Sequence, residues 1–247
     1  MKAMIHAAGL GTRLRPLTNG RPKALVEVAG RTLLDLTLAR LRTFGIFEVI
    51  INTHHHAEMI ADYLHAHRNF GMSIALSPEP ILLDTGGGLK NAASFFLDST
   101  PGPAAFLVHN VDILSTIDIT QMLRQHTATG ALATLAVQPR ATSRRLLFDS
   151  ASQLCGRQIS GETHLVRFAA DPQSQAFSGI HFLSTRIFQK LTEQGPFPII
   201  DAYLRLAAEG ENILAFQARE AYWRDLGRPE NIDQAAHDIA TGRYPAP

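Results

Sequence analysis

KAMIHAAGLGTRLRPLTNGRPKAL, residues 2–25, is the stretch whose reading decides the fold of this chain. Its first seven residues, KAMIHAA, are an apolar strand, and the next amphipathic run begins only near Leu33. A connection this long inside a compact domain is usually functional. Gly9 and Gly11 allow positive φ and let backbone N–H groups come close to a ligand without a Cβ in the way. Arg13 and Lys23, with Arg15 and Arg21 beside them, supply charge-assisted donors of the kind that hold phosphate oxygens. The loop suits a polyphosphate, although the composition alone also allows a basic surface loop without a ligand.

Two commoner glycine loops do not fit. A P-loop needs G-x-x-x-x-G-K-[ST], which does not occur here. The dinucleotide fingerprint needs a third glycine where this chain has Leu14, and a helix opening through it. Pro16 and Pro22 oppose such a helix. The sequence therefore predicts an extended, phosphate-wrapping loop.

Outward from that loop, strands and helices alternate. Helices are expected over 33–44, 57–67, 89–97 and 119–128, and strands over 47–53, 72–76, 104–110 and 131–137. The glycines at 86–88 read as a flexible start to the 89–97 helix. Such alternation implies crossover units and a mostly parallel sheet in an α/β fold. From 138 to 182 the rhythm changes to short strand-like pieces without helices, read as antiparallel additions. Helices over 185–194, 199–209 and 229–241 and a strand over 213–217 complete the pattern. With neither a repeat nor a linker in view, residues 1–247 read as one domain, with a nucleotide-binding half at 1–137 and a second half at 138–247.

Charged residues make up 18% of the chain and nearly cancel, leaving a formal charge of +1, which argues against broad nucleic-acid or membrane electrostatics. The lone Cys155 excludes an internal disulfide framework and suits a reducing compartment. No apolar leader and no run of about 18–20 apolar residues is present. The expectation is a cytoplasmic protein; homo-oligomerisation is left open.

The segment from Gly9 to Leu25 resembles the signature of sugar-1-phosphate nucleotidylyltransferases, or NDP-sugar pyrophosphorylases. The resemblance runs from Met1 to about Ala236 and recurs in L83-D-T-G-G-G88, N110-V-D112, F177-S-G-I180 and W223-R-D-L-G227. The L-x-T-G-G-G variant and the short chain are similar to the N-acetylmuramate-1-phosphate uridylyltransferase and the mannose- or heptose-1-phosphate guanylyltransferase branches. The architecture this implies is a Rossmann-like, three-layer α/β/α fold with a mixed, mostly parallel sheet and an antiparallel extension on the acceptor side.

The resemblance also implies roles. Ala7, Ala8, Gly9, Gly11, Thr12, Arg13 and Lys23 would bind nucleotide phosphates, with Arg13 and Lys23 catalytic. Thr85, Gly86 and Gly87 would meet the nucleobase and ribose, although an ordinary helix-entry turn explains the glycines equally simply. Asp112 and Asp225 match the family's magnesium aspartates, and Mg²⁺ needs few carboxylates when substrate phosphates complete its shell. Position alone also allows both to be turn-capping residues. Asn110 and Gly179 would face the sugar phosphate, and Arg144 or Arg145 would stand in for an absent Glu-Lys-Pro string. Val111 replaces the glycine that often precedes the metal aspartate, a departure that points to changed specificity, through a restricted backbone or a crowded sugar, more than to lost activity.

The implied reaction joins a nucleoside triphosphate, UTP before GTP, to a sugar 1-phosphate. A phosphocholine-type cytidylyltransferase and a nucleotide-binding homologue without turnover are the alternatives. Three other features carry less. His54, His55 and His56 are adjacent and point in different directions, so a solvated loop is the better reading than a metal site. His6 and His109 read as hydrogen-bonded core histidines, and Cys155 as structural.

Overall fold

In the computed structural model, which describes residues 1–98, 104–245 and 247, the apolar run after Met1 forms β1 (Lys2–His6), with Ala3, Met4 and Ile5 fully buried. After the basic loop come the short antiparallel pair β2 (Glu27–Val28) and β3 (Arg31–Thr32), and then α1 (Leu33–Thr43). The Thr32 side chain accepts the Asp35 N–H, satisfying one of the first-turn donors that a helix leaves unpaired. The β-branched run EVIINT is β4 (Glu48–Thr53); α2 (Ala57–Ala66) and β5 (Ser73–Pro78) follow. Continuing along the chain are α3 (Asp84–Asn91), α4 (Ala93–Leu97), β6 (Ala105–Asn110), β7 (Ile113–Ser115), α5 (Ile119–Thr129) and β8 (Ala133–Gln138). The strands β9 (Arg144–Phe148), β10 (Leu154–Ile159), β11 (Glu162–Leu165) and β12 (Gln173–Ser184) come next. The chain ends with α6 (Ile187–Lys190), α7 (Ile199–Ala208), β13 (Ile213–Gln217), β14 (Trp223–Asp225) and α8 (Pro229–Ala240).

These elements form two compact units interleaved in sequence. The first comprises Met1–Leu82, His109–Ile117 and Ala221–Pro247; the second comprises Leu83–Val108 and Asp118–Glu220. In the first unit β4 pairs parallel with β1 and with β5, Ile50 standing opposite both Met4 and Ala75. Parallel strands need crossovers and covered faces, which the helices and apolar runs of residues 2–78 supply. β7 and β14 form a separate antiparallel pair in which Ile113 faces Asp225. α8 opens on Pro229, tolerated there because a first-turn residue lacks an intrahelical partner for its N–H in any case.

In the second unit β12 pairs antiparallel with β8 and β9, and β9, β10 and β11 form an antiparallel meander. β13 adds parallel to β8. Phe96, Phe106 and Phe188 stack in its core, with ring centroids 4.0 and 5.5 Å apart along the series. The fully buried Tyr203 hydroxyl lies 2.6 Å from His181 Nδ1, so this large polar tip has a partner.

The mixed α/β class expected from the alternation is present. Three local expectations are corrected. The helix expected over 185–194 stops at Lys190, because Leu191 turns extended and Arg205 takes both the Lys190 carbonyl and the Glu193 carboxylate. Gly86–Gly88 do not precede a helix but lie inside α3. Asp225, whose position alone allowed a turn-capping residue, ends a strand, Trp223–Asp225, and the chain bends after it at Gly227 and Arg228.

Candidate active site

The loop after β1 is built from short-range steric and hydrogen-bonding constraints. The Ala7 N–H donates to Asn52 Oδ1 at 2.7 Å, and Asn52 Nδ2 donates to the buried Glu79 carboxylate at 2.7 Å. Ala7 therefore has no amide to offer a phosphate. Gly11 sits at φ +63°, and a Cβ there would lie 3.0 Å from Thr18 Cγ2 and 3.1 Å from Lys23 Cβ. The Thr18 hydroxyl donates to the Gly11 carbonyl at 2.9 Å, latching the loop across itself. Only single 3-10 turns form, at Thr12–Leu14 and Lys23–Leu25, so the helix that the prolines opposed is absent from this loop. Gly9 is exposed, with nothing within 4 Å of where its Cβ would stand.

The same unit brings together the four charged residues singled out from the sequence. Lys23 Nζ donates to Asp112 Oδ2 in an ion pair whose side chains are only 13% and 15% exposed. Asp112 follows β6, and its carbonyl accepts the Leu226 N–H at 2.7 Å, tying it to the end of β14. At that end the Asp225 carboxylate accepts the Gly227 N–H at 2.6 Å. A Cβ on Gly227 would stand 2.6 Å from Arg13 Nη2 and 2.7 Å from Asp225 Oδ1, so glycine is what lets guanidinium and carboxylate share this space. Burial, and after it the charge of Asp112, pushes the Asp225 carboxyl above its usual range; the Gly227 N–H, Lys23 and Arg13 pull the other way.

A cavity of about 270 Å³ opens beside this loop, lined by Leu10, Arg15, Thr18, Asn19 and His55. Thr18, Asn19 and His55 were not expected there. His55 was read as part of a solvated loop after β4, and its distance in sequence from the phosphate loop hid its proximity to Thr18 and Asn19. Asn52 and Glu79 escaped notice for the same reason: their pairing depends on the β4–β5 register, which places Asn52 opposite Ser77.

Asn110 ends β6, half-buried, and its carbonyl lies 2.8 Å from His109 Nδ1. Val111 is 3% exposed, donates its N–H to the His6 carbonyl and has no positive φ. The Val111 side chain is thus part of the core, and its φ is not one that requires glycine.

The remaining candidates belong to the second unit. Thr85 Oγ1 accepts the Ile199 N–H at 3.0 Å, at the start of α7. Gly86 and Gly87 donate to the Phe197 carbonyl at 2.9 and 3.3 Å. A Cβ on Gly86 would lie 2.2 Å from the Phe197 ring. These three residues hold the α7 entrance, so their amides are spent inside the unit. Gly179 lies at φ +74° where the β12–β8 register shifts between Phe177 and His181, a bulge of the kind that re-aims side chains beside sites. Arg144 is exposed at the end of β9, two residues past the last β9–β12 pair, Leu146–Gln175. Arg145 is partly anchored, donating to the Thr142 carbonyl at 3.4 Å.

Among the described residues no group of three or more carboxylate, imidazole or thiol side chains forms a metal cluster. Asp112 and Asp225 are two carboxylates at the ends of paired chain segments, and burial, with the charge of Asp112 second to it, already raises Asp225. That donor set fits a hard divalent cation whose shell is completed by phosphate and water oxygens. Cys155 is buried, and burial pushes its thiol upward, away from nucleophilic use.

The nucleotidyl transferase family model matches residues 2–242. An N-acetylmuramate alpha-1-phosphate uridylyltransferase of Caulobacter vibrioides is 33% identical over 239 residues, covering 92% of this chain and 92% of that enzyme. A mannose-1-phosphate guanylyltransferase of Mycobacterium tuberculosis is 27% identical over 246 residues, covering 99% of this chain and 66% of that enzyme. Among solved structures, a UDP-glucose pyrophosphorylase from Acinetobacter baumanii aligns with a TM-score of 0.79 at 20% identity, over 98% of this chain and 95% of that one. That likeness is one of fold.

Proposed function

The chain belongs to the nucleotidyl transferase family, and on that premise we propose that it joins a nucleoside triphosphate, UTP in preference, to a sugar 1-phosphate. The observation that carries the proposal is the convergence of Arg13, Lys23, Asp112 and Asp225 beside the Gly9–Gly11 loop. The similarity to an N-acetylmuramate alpha-1-phosphate uridylyltransferase over nearly the whole of both chains supports UTP and an aminosugar or hexose phosphate. The mannose-1-phosphate guanylyltransferase relative keeps GTP as the second reading.

In this reading a phosphate oxygen of the sugar 1-phosphate attacks the α-phosphorus of the triphosphate. One P–O bond forms, the bond to the β-phosphate oxygen breaks, and pyrophosphate leaves. The attacking phosphate is already anionic, so no side chain need remove a proton. Catalysis is alignment and charge stabilisation. Arg13 binds the β- and γ-phosphates and stabilises the departing pyrophosphate. Lys23 turns from Asp112 toward the donor phosphates and the charge developing at the α-phosphorus. Gly9, Gly11 and Thr12 line the triphosphate path, with Ala7 and Ala8 at its strand end contributing contact surface. Asp112 and Asp225 would hold Mg²⁺, which when bound neutralises phosphate charge and orients the α-phosphate. Asn110, Gly179 and Arg144 are proposed for the sugar phosphate, and Thr85–Gly87, whose amides are engaged within the unit, would serve the nucleoside edge indirectly, by fixing the α7 entrance. Residues 1–247 act as one nucleotidyltransferase domain, in the cytoplasm. The buried, single thiol and the lack, among the described residues, of a helix able to cross a membrane are compatible with that setting.

Incubation with UTP, GTP, dTTP or CTP, Mg²⁺ and a panel of sugar 1-phosphates and phosphocholine, with pyrophosphate as the readout, tests the reading. Calorimetric titration of the four triphosphates ranks the bases. GTP binding tenfold tighter than UTP, about 1.4 kcal/mol, would transfer the assignment to a guanylyltransferase. Absence of pyrophosphate with every pair would end it.

A further inference from the structure

We propose that Asp238 is a positioning residue for this reaction: through Arg224 it fixes the rotation of β14, and so keeps Asp225 aligned with Asp112. The inference rests on the nucleotidyltransferase reading of the site.

Asp238 lies near the end of α8, far from the phosphate loop in sequence, and its side chain is 1% exposed. A carboxylate withdrawn from water to this extent is retained only with strong partners. It has them. Oδ2 accepts the Tyr222 hydroxyl at 2.8 Å, Arg224 Nε at 3.0 Å and Arg224 Nη2 at 2.6 Å. Oδ1 accepts Gln234 Nε2 at 3.2 Å, and the Arg243 guanidinium lies 3.7 Å away. Two of these donors, Tyr222 and Arg224, come from the segment that leads into Asp225.

The geometry of a strand makes that anchor consequential. Successive side chains point to opposite faces, so Arg224 on one face sets where Trp223 and Asp225 point on the other. β14 has only three residues paired with β7, Trp223 to Ser115 through Asp225 to Ile113. So short a ladder defines register weakly, and a slip by one residue would turn Asp225 away from Asp112. The ends of the ladder are pinned as well: the Tyr222 N–H donates to Thr116 Oγ1 at 2.9 Å, and Asn231 Nδ2 of α8 donates to the Asp225 carbonyl at 2.7 Å. α8 thus grips both sides of the metal-site strand, through Asp238 on side chains and through Asn231 on backbone.

Trp223, the chain's one tryptophan, is the immediate neighbour of Asp225 and reports on this strand by fluorescence. The experiment compares wild type, Asp238→Asn, Arg224→Met and the double variant, by Trp223 fluorescence during Mg²⁺ titration without nucleotide, by kcat and KM, and by circular dichroism and melting temperature. In Asp238→Asn the Mg²⁺ half-saturation should rise about 10–100-fold, the range typical of losing a group that orients a metal ligand. kcat should fall at least tenfold at fixed Mg²⁺, while KM for the triphosphate stays within about threefold and the circular dichroism is retained. The double variant should be no worse than the poorer single one, because both act on one unit. A folded Asp238→Asn protein with unchanged Mg²⁺ half-saturation and kcat overturns the proposal, as does additive loss in the double variant. Should Asp238→Asn fail to fold, Tyr222→Phe removes one hydroxyl from the same network and should raise Mg²⁺ half-saturation about threefold; no change there overturns it too. Wild type that gives no Mg²⁺ response removes its premise. Wild type that binds Mg²⁺ yet releases no pyrophosphate from any substrate pair refutes the proposed reaction instead, and leaves the Trp223 titration to judge Asp238.

Discussion

Two glycine-rich stretches in this chain look alike as text and do opposite things. At Gly9–Gly11 the first glycine is exposed with open space around its missing Cβ, and the second makes room for Thr18 and Lys23. At Gly86–Gly88 all three glycines are buried inside a helix, two of them bonded to the Phe197 carbonyl. The first stretch keeps backbone and charge available beside a pair of aspartates. The second gives up its backbone donors to seat one phenylalanine. What separates them is their surroundings: four arginines and lysines follow the first, whereas Phe197, which explains the second, lies more than a hundred residues further on.

The largest effect expected from this contrast is at the charged end of the first stretch. Asp112→Asn removes a carboxylate from the proposed metal pair and the partner of Lys23. Loss of several kcal/mol of charge stabilisation corresponds to about 10³-fold or more in turnover, with the fold intact by circular dichroism. Normal activity in the purified variant would remove the metal assignment. Arg13→Ala comes next, at about 10²–10³ in kcat, the loss typical of one preorganised donor. A change confined to KM for the sugar phosphate would show that Arg13 does not serve the triphosphate.

Alanine at single glycines tests the contrast itself. Gly86→Ala places a Cβ 2.2 Å from the Phe197 ring and should cost about 1–3 kcal/mol in urea unfolding, the range for overpacking a filled interior. Gly9→Ala meets no atom and should change stability by less than about 0.5 kcal/mol, while raising KM for the triphosphate. If Gly9→Ala proved the less stable protein and Gly86→Ala the poorer binder, the division of labour drawn here would be reversed.

The sequence carried the parts of the fold that rest on local periodicity. β4 and α1 were legible because a β-branched run and leucines spaced by a helical turn each state one answer. β14 was not, because three residues with a Trp, an Arg and an Asp carry no period, and only pairing with β7 makes them a strand. The α6 boundary was lost to a tertiary contact, Arg205 on the Lys190 carbonyl. Within the site, Arg13, Lys23, Asp112 and Asp225 were legible by type and by resemblance. Asn52, Glu79 and Asp238 were not, since each is an ordinary polar residue until folding brings its partner from a distant segment. Glycines misled in one respect: Gly86–Gly88 read as a flexible helix start, whereas they lie inside α3 with the Gly86 and Gly87 N–H groups bonded to the Phe197 carbonyl.

The smallest expected effect compares two buried histidines, His109 in the first unit and His126 in the second, each pushed down to a pKa of about 4. Burial is the main cause for both. The charge of Arg40 adds to it at His109, against the Asn110 carbonyl and Asp112, and the charge of Arg186 adds to it at His126. In the unfolded chain a histidine titrates near 6.5, so below about that pH the unfolded state binds protons that the native state refuses. Stability is therefore fully present above about pH 6.5 and falls as the pH drops toward 4. Each histidine contributes about 1.4 kcal/mol per pH unit to that fall. His126 is the cleaner probe, because its Nδ1 pairs with Thr134 Oγ1 at 2.9 Å and Asp112 is not among the charges that shift it. His126→Asn should reduce the slope of unfolding free energy between pH 5 and 6.5 by about that one-histidine amount, measured by urea denaturation at each pH. An unchanged slope would mean that His126 takes up its proton without opening the second unit, and that this interior is more permeable to charge than its burial implies.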